Sequence, residues 1–261
     1  MYYNNVKTNF HTHTLFCGHA IGLPIDYLNS IKDLNLKTLG FSEHAYIDIP
    51  RFHHTIVSSE EMDSYYNEVQ KLKKETDIEI LTGLEIDYVP SFINYYKELK
   101  EKYDFLSLSV HFVYINNDYS YATRFSSIDE LILYKDYLIS GINTKLFSFV
   151  NHPDLFLNSF ANENKDNEII KSLEKDIIDE AVKADIPIEF NIAQFYRFNH
   201  LYNENSVRYG FWKMVGLSNA KVLINYDAHD PKEMTLERYN RVMEYISKFN
   251  LNIINDFRKC D

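Results

Sequence analysis

What most constrains this chain is a phrase that recurs along it. A short apolar run ends in a polar residue, and a helical segment follows. The runs fall at residues 8–13, 38–44, 78–88, 105–112, 146–151, 187–192 and 222–226. Helical patterns follow at about 24–36, 58–74, 91–102, 128–141, 168–184, 206–217 and 236–249. Such alternation belongs to βα units, which build a parallel sheet covered by helices. Local chemistry agrees: Pro24 opens the first helix, and Ser58 or Ser59 can cap the second ahead of Glu60 and Glu61. The 168–184 pattern puts Ile169, Ile170, Leu173, Ile177, Ile178, Ala181 and Val182 on one face. Residues 45–57 (with Arg51, His53 and His54), 116–127 (Arg124), 161–168 and 194–204 (Arg197, His200) read as loops. No linker, repeat or low-complexity block divides the chain, so one domain over residues 1–261 is expected.

The residues that end the runs carry the chemistry. His11 and His13 are two apart, and on an extended strand end such side chains point the same way. Two neutral imidazoles on one face can grip a metal ion, and His19 can reach round from the loop after Gly18. His44, Glu85, His111, His152, Asp227 and His229 also sit at or just past run ends. If the runs are parallel strands of a barrel, all these residues converge on its C-terminal mouth, where barrel enzymes place their chemistry. His152 alone could be a turn residue before Pro153, and His44 alone an ordinary buried histidine. Scattered structural histidines would not collect at strand ends as a set. Of the 10 histidines, only His53, His54 and His200 fall outside this pattern or the His19 loop.

Imidazole with a few carboxylates suits zinc, iron or manganese better than magnesium or calcium. So many ligands exceed one tetrahedral zinc. They suffice for two or three divalent ions sharing a bridging carboxylate, a cluster able to activate water and clamp phosphoryl oxygens.

Composition removes other classes. The 261 residues are 45% hydrophobic and 25% charged, enough for a sizeable core. A net charge of −11 argues against a nucleic-acid partner, though a local arginine site for a small phosphate stays open. Two cysteines, Cys17 and Cys260, make no disulfide framework and suit a reducing cytoplasm. No apolar stretch of about 20 residues appears, so no membrane span is expected.

The segments His11-x-His13, Ser42-Glu43-His44, Gly83-Leu84-Glu85, Ser109-Val110-His111, Asn151-His152-Pro153-Asp154 and Asp227-Ala228-His229 resemble the successive motifs of the PHP (polymerase and histidinol phosphatase) superfamily, in order. Phe16-Cys17-Gly18-His19, Gly83-Leu84-Glu85-Ile86-Asp87-Tyr88 and Ser107-Leu108-Ser109-Val110-His111-Phe112 look most like its histidinol-phosphatase branch. The resemblance implies a distorted (β/α)7 TIM-like barrel with a trinuclear metal site. It puts His11, His13, Glu85 and Asp227 on a first metal. Glu85 then bridges to a second metal held by His111 and His152, and His19, His44 and His229 hold a third. It casts Asp227, Glu85 and His229 as the residues that carry catalysis, Asp227 orienting the attacking hydroxide. Cys17 sits beside this set.

One stretch departs from the resemblance. Where the resembled phosphatases read roughly Glu-x-Asn-Thr-x-Gly-Leu-Arg, this chain has Glu189-Phe190-Asn191-Ile192-Ala193-Gln194-Phe195-Tyr196-Arg197. This loop is expected to meet the substrate, so the chemistry is better specified than the substrate. The expected activity is hydrolysis of a phosphomonoester, L-histidinol phosphate first, as in histidine biosynthesis, with Arg197 and then Arg124 as the phosphate-binding arginines. The alternatives are another PHP phosphoesterase and a non-catalytic metal-binding domain. Metal identity and oligomeric state are not readable from the sequence.

Overall fold

The computed structural model describes residues 6–49, 58–163 and 165–258. Arg51, His53, His54 and Cys260 lie outside these. The strands are β1 (Thr8–Asn9), β2 (Thr38–His44), β3 (Glu79–Asp87), β4 (Phe105–Ser109), β5 (Phe112–Ile115), β6 (Asp118–Tyr121), β7 (Phe149–Val150), β8 (Ile188–Asn191), β9 (Lys221–Asn225) and β10 (Asn252–Ile253). The helices are α1 (Pro24–Ser30), α2 (Ser59–Leu72), α3 (Ile93–Lys102), α4 (Ile128–Asn143), α5 (Glu168–Lys183), α6 (Ile192–Arg197), α7 (Val207–Leu217) and α8 (Leu236–Ile246).

Eight strands form one parallel sheet in the order β1-β2-β3-β4-β7-β8-β9-β10. Helices cover its outer face, so β2 is buried throughout and β3 almost so, as parallel strands covered on both faces require. The sheet curls until its edges meet. Near the top, Thr12 bridges Ala228 in parallel, and the His13 N–H donates to the Ala228 carbonyl at 2.9 Å. Near the floor, β10 pairs with β9, and the Thr8 hydroxyl donates to the Asn255 carbonyl. The result is the distorted α/β barrel expected, with seven strands from the seven runs and the short β10 wedged into the closure.

Inside the curl, Phe10, Leu81, Phe105, Phe149 and Leu223 form a core of their own, joined by Ile254 and Phe257. The Phe257 ring lies 4.7 Å from Phe10 and 5.7 Å from Phe149, centroid to centroid. Gly83 faces this interior because a Cβ there would overlap the Phe105 ring. This floor of aromatic rings supports everything above it.

Several expectations change in detail. Only Thr8 and Asn9 of the first run are strand, and His11 and His13 follow it as extended chain. The 24–36 helix stops at Ser30 and continues as turns to residue 35. Residues expected as a loop, 116–127, begin with the turn and second strand of the β5–β6 hairpin. Asn116 and Asn117, both at positive φ (53° and 64°), make that turn. The expected loop 194–204 starts instead as α6, which leaves β8 without a gap and is capped by the Asn191 side chain accepting from the Gln194 N–H at 2.8 Å. Ile169 is exposed rather than on the packed face of α5. No helix among the described residues is long and apolar enough to cross a membrane.

On α5, Glu174 is buried and its Oε1 has no hydrogen-bond partner. Burial and then the Asp154 carboxylate push its pKa up to about 8, against a small opposing pull from Lys171. The folded state therefore holds a proton that the unfolded chain sheds near pH 4.5. Stability contributed by this group is full below that pH, falls as pH rises, and is lost by about pH 8. Glu174→Gln should be more stable than the parent at pH 9 by a few kcal/mol at most, each pH unit in the window being worth about 1.4 kcal/mol. The gap should close by pH 4.5. Urea denaturation across this range reads it directly; equal pH slopes in the two proteins would show that Glu174 titrates normally.

Candidate metal centre

The strand ends bring all nine expected metal ligands into one cluster at the C-terminal mouth of the barrel. Register explains part of this. His44 at the end of β2 pairs with Glu85 on β3, and Glu85 pairs with Ser107 on β4. His152 follows β7, and Asp227 and His229 follow β9. His152 (φ 25°) and Asp227 (φ 50°) sit in the left-handed backbone region, where non-glycine residues are uncommon and functional sites are enriched.

At the deepest point, His11 Nε2 and His13 Nε2 are 3.0 Å apart. Glu85 Oε2 lies 3.3 Å from the first and 3.1 Å from the second. Asp227 Oδ1 lies 3.3 Å from each. Ligand atoms around a tetrahedral zinc, with bonds near 2.0–2.1 Å, are separated by about 3.3 Å. The other oxygen, Glu85 Oε1, faces His152 Nε2 at 2.9 Å and His111 Nε2 at 3.8 Å, and accepts from the Ser109 hydroxyl. Toward solvent, His19 Nε2 and His229 Nε2 are 3.1 Å apart, and the donor atoms of His19, His44 and His229 lie within 4.8 Å of one another. Buried imidazole nitrogens facing each other at these distances have no stable pairing without a cation or a proton between them. The donor set fits divalent transition metals.

The far side of most rings is fixed. Carboxylates and carbonyls only accept, so the Nδ1–H of His11 donates to Glu189 Oε1 at 2.8 Å, and that of His111 to Asp87 Oδ1 at 2.8 Å. His19 and His229 donate from Nδ1 to the carbonyls of Cys17 (3.0 Å) and Asp227 (3.1 Å). Each of these bonds leaves Nε2 with its lone pair toward the cluster, as metal-bound histidines require. His13 Nδ1 stands 3.6 Å from Glu43 Oε2, whose partner oxygen accepts from the Thr14 N–H at 2.6 Å. Sequence reasoning assigned no role to Glu43, Asp87 or Glu189.

The carboxylates Glu43, Glu85, Asp87, Glu189 and Asp227 make no ion pair with lysine or arginine among the described residues. Burial opposes charge on Glu85 and Asp227, yet His44, His11 and His111 hold Glu85 well below the usual carboxylate range, and His11 and His13 do the same for Asp227. Burial likewise disfavours charge on His11 and His111. At His11 the carboxylates of Glu189, Asp227 and Glu85 outweigh it and raise the pKa well above normal; at His111, Asp87 and then Glu85 raise it to about 9. Burial, with His13 nearby, lowers His229 to about 3. Without metal, protons on some rings stand in for cations; metal uptake must displace them and so weakens as pH falls.

A cavity of about 260 Å³ opens over the cluster. His19, His44, Glu85, His111, His152, Asp227 and His229 form its floor, and Tyr121, Thr123, Leu155, Gln194, Arg197 and Phe198 its walls. Arg197, on the last turn of α6, is exposed and makes no hydrogen bond or ion pair among the described residues. Arg124 is exposed and is not among the lining residues. Cys17 is buried, with its sulfur in reach of the His13 and His229 donors; burial and then Glu43 push its thiol up to about 11. Asp154, quoted in the fifth motif, turns away from the cluster: its Oδ2 pairs with Arg208 and accepts from the Trp212 indole, both at 3.0 Å.

A sequence profile of the PHP domain matches residues 9–193. A relative from Deinococcus radiodurans named "Probable histidinol-phosphatase" is 28% identical over 156 residues, which span 56% of this chain and 59% of the relative's length. Two crystal structures share the fold. One, a candidate histidinol phosphatase from Listeria monocytogenes, superposes with a TM-score of 0.72 at 18% identity, over 87% of this chain and 97% of the other. The second is the histidinol phosphate phosphatase of Lactococcus lactis in complex with zinc, L-histidinol and phosphate. Its TM-score is 0.71 at 16% identity, over 95% of each chain.

Proposed function

Because this chain belongs to the PHP domain family, we propose that it is a metal-dependent phosphomonoesterase whose first substrate is L-histidinol phosphate. The observation that carries the activity is Glu85: a buried carboxylate with one oxygen turned to His11 and His13 and the other to His152 and His111. A carboxylate so placed is built to be shared between cations. In this reading His11, His13, Glu85 and Asp227 hold one ion, Glu85, His111 and His152 a second, and His19, His44 and His229 a third. Bound there, the ions supply positive charge for phosphoryl oxygens and lower the pKa of water to near neutrality. The protein's own part is orientation. Asn191 Nδ2 donates to Asp227 Oδ2 at 3.0 Å and fixes the plane of that carboxylate, which aligns the attacking water. His229 stays neutral, with its Nδ1–H donating to the Asp227 carbonyl. The substrate name rests on the Deinococcus relative and the Lactococcus structure.

The test is direct. Protein purified without chelator should carry more than one equivalent of transition metal and release phosphate from L-histidinol phosphate. Chelation should abolish release, and manganese or zinc should restore it. Full activity in metal-free protein would end this reading, and loading without hydrolysis of any ester would leave a metal-binding domain. A second reading, another phosphate ester, is favoured by the cavity wall. Among the described residues, Glu85 and Asp227 are the only acids lining it, so none is left over for the ammonium group of histidinol. A panel with nucleotides and sugar phosphates separates the two.

Arg197 is the cation the cavity wall offers to a phosphate dianion. Its planar fork matches phosphate oxygens in a way lysine does not copy. Arg197→Ala should keep its metal and lose about 2–4 kcal/mol of transition-state stabilisation in kcat/KM, with Arg197→Lys recovering part. Arg124→Ala should stay near the parent. If Arg197→Ala keeps the parental kcat/KM, the clamp lies elsewhere.

A further inference from the structure

Gln194 is 5% exposed, lines the cavity, and has no hydrogen-bond partner for either Nε2 or Oε1. Its backbone is satisfied, since its N–H donates to the Asn191 side chain. Leaving a buried amide group unpaired is costly, because its lost hydrogen bonds to water are not replaced. Both polar atoms of this carboxamide are therefore available to a ligand in the cavity. Arg197 stands one helical turn further along α6 and lines the same cavity.

The chemistry of a carboxamide limits what can pair with it. Nε2 donates and Oε1 accepts. A phosphoryl dianion offers acceptors only, so it can satisfy Nε2 but not Oε1. The donor for Oε1 must come from the alcohol portion of the ester. An N–H or O–H on the carbon next to the ester carbon lies beside the ester oxygen, and the two together match the paired acceptor and donor of the amide. Resting on the phosphomonoesterase reading above, we infer that Gln194 is a specificity residue that selects phosphate esters bearing an amino or hydroxyl group on the carbon adjacent to the ester carbon. A neutral amide does this without adding a carboxylate to a site already rich in them. L-Histidinol phosphate falls in this class, as do amino-alcohol and diol monophosphates generally.

The experiment compares 2-aminoethyl phosphate and 2-hydroxyethyl phosphate with propyl phosphate, which has the same length and no donor. On metal-loaded parent protein, kcat/KM should favour the first two by roughly tenfold or more. Gln194→Leu, with Gln194→Met as a second variant of similar volume, should bring that ratio close to one, chiefly through KM. An unchanged ratio in both variants, or no preference in the parent, overturns the inference. An equal loss on all three esters overturns it too, because the amide then serves the fold or the metal-bound water rather than the alcohol. Calorimetry of 3-aminopropylphosphonate, in which CH2 replaces the ester oxygen and the amine keeps its distance from phosphorus, against butylphosphonate reads the same preference without turnover. If the parent hydrolyses no ester yet binds the amino compound more tightly and the variants do not, the activity reading fails and the Gln194 reading stands. Equal or absent binding in the parent sinks it.

Discussion

Glu85→Gln should lose at least about a thousandfold in kcat, or ~4 kcal/mol, and should carry less metal than the parent. The side chain is 1% exposed, and its two oxygens face different groups of imidazoles. The amide keeps the shape but replaces one anionic oxygen with an NH2 group that cannot bind a cation. Whichever way it turns, one group of histidines loses its shared carboxylate, and two neighbouring cations lose the negative charge between them. The fold should persist, because Glu85 rests on β3, whose backbone pairs with β2 and β4 on either side. Metal content by elemental analysis, circular dichroism and turnover together decide it. Parental turnover with a full metal complement in Glu85→Gln would show that no bridge exists.

Glu189→Ala should be the most damaging change at a residue that touches no metal. This fully buried carboxylate accepts from four donors: His11 Nδ1 at 2.8 Å, the His152 N–H at 3.0 Å, Asn191 Nδ2 at 2.9 Å and Asn225 Nδ2 at 3.0 Å. The ends of β1, β7, β8 and β9 are tied through it. Truncation leaves the His11, His152 and Asn225 donors buried and unpaired and Asn191 with only its bond to Asp227, a loss of about 3–5 kcal/mol by analogy with broken buried ion pairs. Glu189→Gln tests the electronic part. An amide nitrogen turned toward His11 Nδ1 would force that ring to carry its proton on Nε2, the atom that should face the metal. Metal affinity should then fall about 10–100-fold, as for other lost outer partners of metal-bound histidines. Urea denaturation of stripped protein gives the first number and metal titration the second. Parental values in both variants would mean His11 is oriented by something other than Glu189.

The metal-type residues were legible because all but His19 sit at or just past the end of an apolar run, and strand ends of a parallel barrel have nowhere to converge but its mouth. Their supporting carboxylates were not. Glu43 and Asp87 lay inside quoted motifs, but a side chain that touches a ligand rather than a metal has no spacing rule of its own. The β5–β6 hairpin had a local signal, the Asn116-Asn117-Asp118 turn between two aromatic-rich runs, which the loop reading passed over. Helix α6 also had one, an asparagine directly before Ile192, but the strand and helix meet without the usual break. That junction is what carries Gln194 and Arg197 to the cavity, so a part of the chain that is unclear in the sequence forms a wall of the site. The wedge of β10 was missed because two residues show no periodicity at all.

The aromatic floor of the barrel sets an order on folding. The bond from Thr8 to Asn255 spans 247 residues, and Phe257 completes the ring cluster begun by Phe10. During synthesis, Phe10, Phe105 and Phe149 leave the ribosome long before the ring that covers them from below. The apolar floor therefore lacks the ring that completes it until residue 257 has emerged. Contacts so distant along the chain form late and slowly, since loop closure must come before the reward. The histidines at the mouth are brought together by the same curl, so their convergence is a late event in the life of each molecule.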